Sequence, residues 1–286
     1  MSDGADNEVF AGPSWERLMT PENILGLAAY FAMLGFGFAL VKRLADDGDN
    51  QISKKKLPVR GKHLDDFNKY DELYRRINKL LAGPFLLLGI HCAFYDPNML
   101  WEVNDLSLKS VLFPMPLYFV IYDFFYATTH MTLHLKGIYA YVHKHHHRQQ
   151  APSRGSEDSI NVHPIEFCLG HLNSIITLFL VCRVMQFHIV GSNILQLIYA
   201  ATSCFNHSRH DITIAIGGLQ LWTSKDHDVH HRIPNRNYGR VIMLWDWIFG
   251  TFRPYDDNDP VNPIAQLNPA TGKSYEYEKL QQKKLT

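Results

Sequence analysis

No sign of charge prevails in this chain. Its 28 lysines and arginines are matched by 28 aspartates and glutamates, so the net charge is zero with histidine neutral. A protein that tracks nucleic acid needs a positive field, and its absence removes nucleic acid from the expected partners. Cysteine is scarce. Cys92, Cys168, Cys182 and Cys204 stand apart in apolar surroundings, with no C-x-x-C pair. That spacing excludes a disulfide framework and a thiolate zinc site, and the four read as small buried hydrophobes. A basic leader is lacking as well. The first 22 residues hold five carboxylates and one arginine, so the apolar stretch after them is not expected to be a signal peptide.

Apolar length and histidine are what the chain has. "NILGLAAYFAMLGFGFALV", residues 23–41, carries no charge and matches the thickness of a bilayer. Further apolar runs cover 80–95 and 111–129, and two more start at 165 and 192. A mean hydropathy of −0.17 would suit a soluble helical protein too. Five long runs within the first 205 residues favour the membrane instead. The expected fold is all-α: an integral membrane helical bundle of about four membrane-crossing helices plus a hairpin.

Charge is distributed unevenly along the chain. Residues 42–79 carry eleven Lys or Arg, while 80–108 carry none. The positive-inside rule places loop 42–79 in the cytosol. Following the runs from there brings His130 to His163 and His207 to His231 to that same face. Three regions are expected: 1–79 with the first membrane helix and basic loop, 80–255 as a membrane-embedded catalytic domain, and 256–286 as a polar cytosolic tail. Lys54 to Lys56 read as a topology signal. Lys283 and Lys284, in the terminal "KKLT", resemble a di-lysine retrieval signal of the endoplasmic reticulum.

The sixteen histidines form patterns. "HMTLH" sets His130 and His134 at i and i+4 after an apolar helix. "HKHHH" contains His143, His146 and His147 at i, i+3 and i+4. "HDVHH" repeats that spacing with His227, His230 and His231. On a helix each set is expected to converge on one face, and His145 falls off it. Eight imidazoles exceed one zinc site, which takes three or four ligands, so a dinuclear metal site in a cytosolic histidine-rich cap is expected. A site where apolar helices leave the bilayer has a lipid as its natural substrate.

In order, these boxes resemble the fatty acid hydroxylase and sterol desaturase superfamily of membrane di-iron oxygenases. "YDFFYATTH", "VHPIEF", "NHSRHD" and "NYGRVIMLWDWIFGTF" extend the resemblance over roughly residues 110–255. It implies two iron ions, dioxygen, a sterol, fatty acyl or sphingolipid substrate, and the endoplasmic reticulum membrane with the active site facing the cytosol. Electrons would come from NAD(P)H through a separate donor such as cytochrome b5, because no haem-binding "HPGG" occurs. Met131 departs from the arginine that commonly follows the first histidine of box one. The end of box three leans toward the sterol C-5 desaturase branch. Further ligands are expected in the order His207, His163, His210. No catalytic residue beyond the metal ligands is expected.

Other residues bear on the site. Asp226 and Asp228 flank His227 and are weighed equally as orienters of imidazole and as loop carboxylates. Asp123 lies in an apolar run, where a carboxylate implies a function. Glu166 follows Pro164, where an acid favours a helix N-terminus. Trp245, Trp247 and Phe249 read as interfacial anchors, and Gly250 as the helix end. Two alternatives stand beside the oxygenase: a two-metal membrane hydrolase and a non-catalytic lipid-binding relative.

Overall fold

The structure, a computed structural model, describes residues 15–47, 55–61, 63, 66–261 and 264. Its helices are α1 (Trp15–Leu18), α2 (Pro21–Asp46), α3 (Lys69–Phe94), α4 (Leu108–Leu112), α5 (Met115–Leu133) and α6 (Lys136–Tyr139). After these come α7 (Ser156–Ser159), α8 (Pro164–Cys182), α9 (Ile189–Asn206), α10 (Ser224–Arg232) and α11 (Leu244–Phe249). Strands are few and short. β1 (Met99–Leu100) pairs in parallel with β2 (Phe187–His188), and β3 (Thr213–Ile216) antiparallel with β4 (Leu219–Thr223).

The fold is mostly helical, and among the described residues four stretches are long and apolar enough to cross a membrane: Pro21–Asp46, Lys69–Phe94, Leu108–Leu133 and Pro164–Cys182. Even the shortest, with 19 residues, reaches about 28 Å at 1.5 Å per residue, close to the hydrocarbon thickness. Leu25, Phe36, Leu87 and Phe179 stand exposed on these helices. Water would make such faces an aggregation hazard, whereas lipid is their natural solvent. The run that starts at 192 belongs to α9, which packs on α2 and is not one of the four.

Local signals explain the helix starts. Thr20 caps α2 by accepting from the Asn23 N–H, with Pro21 in its first turn. Asn68 and Asp71 form a reciprocal capping box at the start of α3. Residues 69–79, expected as loop, therefore extend the second apolar run into one 26-residue helix. The boundary drawn at 79/80 falls inside that helix.

Helix direction decides where the histidines lie. At one end of the bundle, the Asn23 side chain accepts from the Val103 N–H, and Asn98 donates to the Cys182 carbonyl. The end of α2, the starts of α3 and α8 and the end of α9 share the opposite end. There α7 ties them together. Glu157 pairs with Lys42 of α2 and with Arg75 and Lys79 of α3. Gly155, with φ of +50°, brings α7 so close to α2 that a Cβ would lie 2.6 Å from the Ala45 oxygen. Between the ends lies a core of Tyr118, Tyr122 and Tyr199 packed with Leu195.

Candidate metal centre

Every histidine box lies at the α7 end. His130 is in the last turn of α5 and His134 is its C-cap. His143 sits in the turns after α6, and His146 and His147 open a 3-10 turn, His146–Arg148. His207 caps the end of α9. His227, His230 and His231 lie on α10, which Thr223 caps by accepting from the Lys225 N–H.

These residues form two groups that could each hold a metal ion. The first is His130, His134, His143, His147 and His230; the second is His146, His207, His227 and His231. Within each group the ligand atoms all lie within 4.8 Å of one another. Eight of the nine are buried and His134 is half-buried. The expectation that each triplet shares one face needs correcting. Box two is not an α-helix, and its His143 and His147 join the first group while His146 turns to the second. Box three divides the other way: His227 and His231 join the second group, and His230 the first.

Nitrogen chemistry tests whether metals fit. Five imidazoles have Nδ1–H donating to an oxygen acceptor. His130 donates to the Tyr238 carbonyl at 2.9 Å, His230 to Arg236 at 2.7 Å, His231 to Gln149 at 2.9 Å, and His207 to Ser203 at 2.7 Å. His143 donates to the Glu166 carboxylate at 2.8 Å. A neutral imidazole with its proton on Nδ1 presents only a lone pair at Nε2. Yet His130 Nε2 lies 3.0 Å from His143 Nε2. Two lone pairs at that distance repel and cannot form a hydrogen bond. A cation between them resolves the conflict.

The spacing also fits a metal of higher coordination number. With metal–nitrogen bonds of about 2.1 Å, ligands at right angles lie about 3.0 Å apart and tetrahedral ones about 3.4 Å. The Nε2 neighbours in the first group are 3.0, 3.0 and 3.1 Å apart. In the second they are 3.1, 3.2 and 3.1 Å apart. Burial, then neighbouring imidazoles, holds His146, His147, His227 and His231 well below the usual histidine range. Burial lowers His207 to about 4. These imidazoles are thus neutral at ordinary pH, the form that can bind a metal.

Two expected ligands lie elsewhere. His163 caps α8, where its ring accepts from the Ile165 N–H at 3.2 Å. His210 is 2.7 Å from Lys56 Nζ through Nδ1, and its Nε2–H donates to the Asp47 carbonyl at 3.2 Å. His145 stays outside both groups, 2.9 Å from the Asn161 side-chain oxygen and 3.1 Å from Asp71.

The carboxylates differ from expectation too. Asp228 touches no imidazole; it pairs with Arg209 and Arg232, both at 2.9 Å. Asp226 is buried, which raises its carboxyl to about 7, with the Asp246 charge adding to the shift. It accepts from Gln220 at 3.5 Å. Glu166 does lie in the first turn of α8, yet it also holds His143. Spacing could not show that bond, because Glu166 and His143 come from different elements. Asp123 accepts from the Val241 and Ile242 N–H groups. Gly250 closes α11 with φ of +70°, as expected. Lys54, Lys283 and Lys284 lie outside the described residues.

Comparison with known proteins follows the boxes. The family model described as fatty acid hydroxylase matches residues 115–251. A Delta(7)-sterol-C5(6)-desaturase of Nicotiana tabacum is 28% identical over 58% of this chain and 57% of its own length. Methylsterol monooxygenase 1 of Rattus norvegicus is 33% identical over 46% of this chain and 44% of its own. A C-4 methylsterol oxidase of Candida albicans is 24% identical over 75% and 69%. The chain thus spans about half the length of the first two relatives. No solved structure matches. Box one, box two, the His207 segment, box three and α11 all lie within the matched segment, so the similarity to the fatty acid hydroxylase family covers the whole candidate metal centre.

Proposed function

We propose that the protein is a membrane oxidoreductase that hydroxylates or desaturates a lipid, using two iron ions and dioxygen. The observation that carries this reading is the pair of all-imidazole groups, of five and four histidines, in which lone pairs face one another. The ligands would be His130, His134, His143, His147 and His230 for one ion, and His146, His207, His227 and His231 for the other. A hydrolytic metal pair commonly uses bridging carboxylates, and none belongs to either group. The sterol names of the relatives favour a sterol substrate.

When bound, the iron pair supplies the activation of dioxygen that no side chain provides. The chain's own part is to hold and to exclude. Backbone carbonyls of Tyr238, Arg236, Gln149 and Ser203 fix which ring nitrogen faces inward. Glu166 does the same for His143 and makes that ring a stronger donor. A cleft between α5 and α8 reaches His130, lined by Tyr126, Thr129, Leu133, Gly170 and Asn173. At about 20 Å³ it has room for little more than a water, so a lipid would reach the buried imidazoles there only if α5 and α8 parted. The basic segment at the same end supports a cytosolic site in the endoplasmic reticulum membrane, within reach of NAD(P)H-linked donors such as cytochrome b5.

The test is to supply membranes containing the protein with an NAD(P)H-linked donor and candidate sterols, with and without dioxygen. Oxidised or dehydrogenated sterol should form only with dioxygen. The same product formed in its absence would mean that another electron acceptor does the oxidation, and would overturn the reading.

A further inference from the structure

We infer that residues 241–252 form a re-entrant segment inside the lipid layer, beside α5, and are not part of an aqueous cap. The inference rests on α5 crossing the membrane. Trp245 Nε1–H donates to the Val120 carbonyl at 2.8 Å, and its ring lies 4.8 Å from Phe124. Val120 precedes His134 by fourteen residues, about 21 Å along a helix axis. A hydrocarbon layer is about 30 Å thick. The chain therefore leaves the metal centre after α10, descends beside α5, and turns back at Gly250.

Its surface suits that place. The stretch "VIMLWDWIFGTF" has one charged residue, Asp246, which is 1% exposed. Trp247 is 67% exposed and Ile248 58%, with Leu244 and Phe249 beside them. Acyl chains of the bilayer are the occupant we assign to this face.

Lipid tolerates a non-helical backbone only if its polar groups find partners. Here they do. The Asp123 carboxylate takes the Val241 and Ile242 N–H groups. Asp246 takes the Tyr238 and Gly239 N–H groups at 2.8 and 2.7 Å, and the Thr251 hydroxyl at 2.6 Å. Its carbonyl accepts from the Thr251 and Phe252 N–H groups. Two acids in apolar sequence thus serve a backbone bend. The same bend carries Tyr238, whose carbonyl orients His130.

Tryptophan fluorescence of the full chain in lipid nanodiscs tests this. The Trp247 signal is the difference between the native protein and Trp247→Phe. Brominated acyl chains should quench it as strongly as they quench Leu86→Trp on α3, and aqueous iodide should spare it. Ile248→Trp in the Trp247→Phe background should restore the lipid-quenched signal. Iodide quenching equal to that of Asn258→Trp would overturn the inference. So would resistance to both quenchers, which would mean that protein covers α11. Failure of Leu86→Trp itself to respond to lipid would instead sink the membrane-spanning reading.

Discussion

Nitrogen geometry separates neighbouring histidines that composition cannot. His145 and His146 are adjacent, yet only His146 belongs to a group. His146→Ala should lower bound metal and abolish lipid oxidation, while His145→Ala should keep most of both. Metal analysis of the purified variants checks this, and equal losses would break the assignment. His207 and His210 make the same contrast three residues apart. Loss of metal is expected for His207→Ala, and little change for His210→Ala, whose ring is engaged with Lys56 and Asp47. Glu166 acts one bond further out. Partners of ligating imidazoles are typically worth 10–100-fold in metal affinity. Glu166→Gln should therefore release metal to a competing chelator roughly 10–100-fold more readily, with helix content unchanged.

At the scale of elements, α10 and α7 do most of the positioning. α10 has nine residues, too few to persist alone. Its Asp228–Arg232 pair is buried, and Arg209 joins it. Removing one partner from such a network costs about 3–5 kcal/mol. Asp228→Ala should lower the thermal midpoint and loosen box three; an unchanged midpoint would show that α10 is held by metal alone. α7 gives a pH signature. Burial raises the Glu157 carboxyl, but its bonds to Arg75 and Lys79 outweigh this and hold it at about 2. The folded value lies below the unfolded one, so the stabilisation is complete above the unfolded value and fades as pH falls toward the folded one. The midpoint difference between native protein and Glu157→Gln should thus shrink from about pH 5 to about pH 3. A difference independent of pH would mean that the ion pairs contribute nothing. These elements also mark what sequence could reveal. The apolar runs disclosed the spanning helices because lipid demands uninterrupted length. The spacing of the boxes disclosed the histidines because i, i+3 and i+4 neighbours meet on any helical turn. The sharing of one box between two groups was hidden: in the 3-10 turn of box two and the α-helix of box three alike, the i and i+4 rings join one group and the i+3 ring the other. The roles of Asp123 and Glu166 were hidden because their partners are over twenty residues away.

For the whole molecule, about two metal ions per chain are expected, and elemental analysis of the purified protein checks the number. Fewer than one after full reconstitution would refute the paired site. Protease at the cytosolic side of sealed microsomes should cut within the basic loop 42–79, and protection of that whole loop would invert the proposed orientation. Box two sends two rings to the first group and one to the second, and box three sends one and two. The segments therefore behave like interlocked fingers: neither can let go of one ion without loosening its grip on the other. Half-filled molecules should be rare. At limiting iron, a population should divide into empty and fully charged copies, and native mass spectrometry would see two peaks where independent sites would give three.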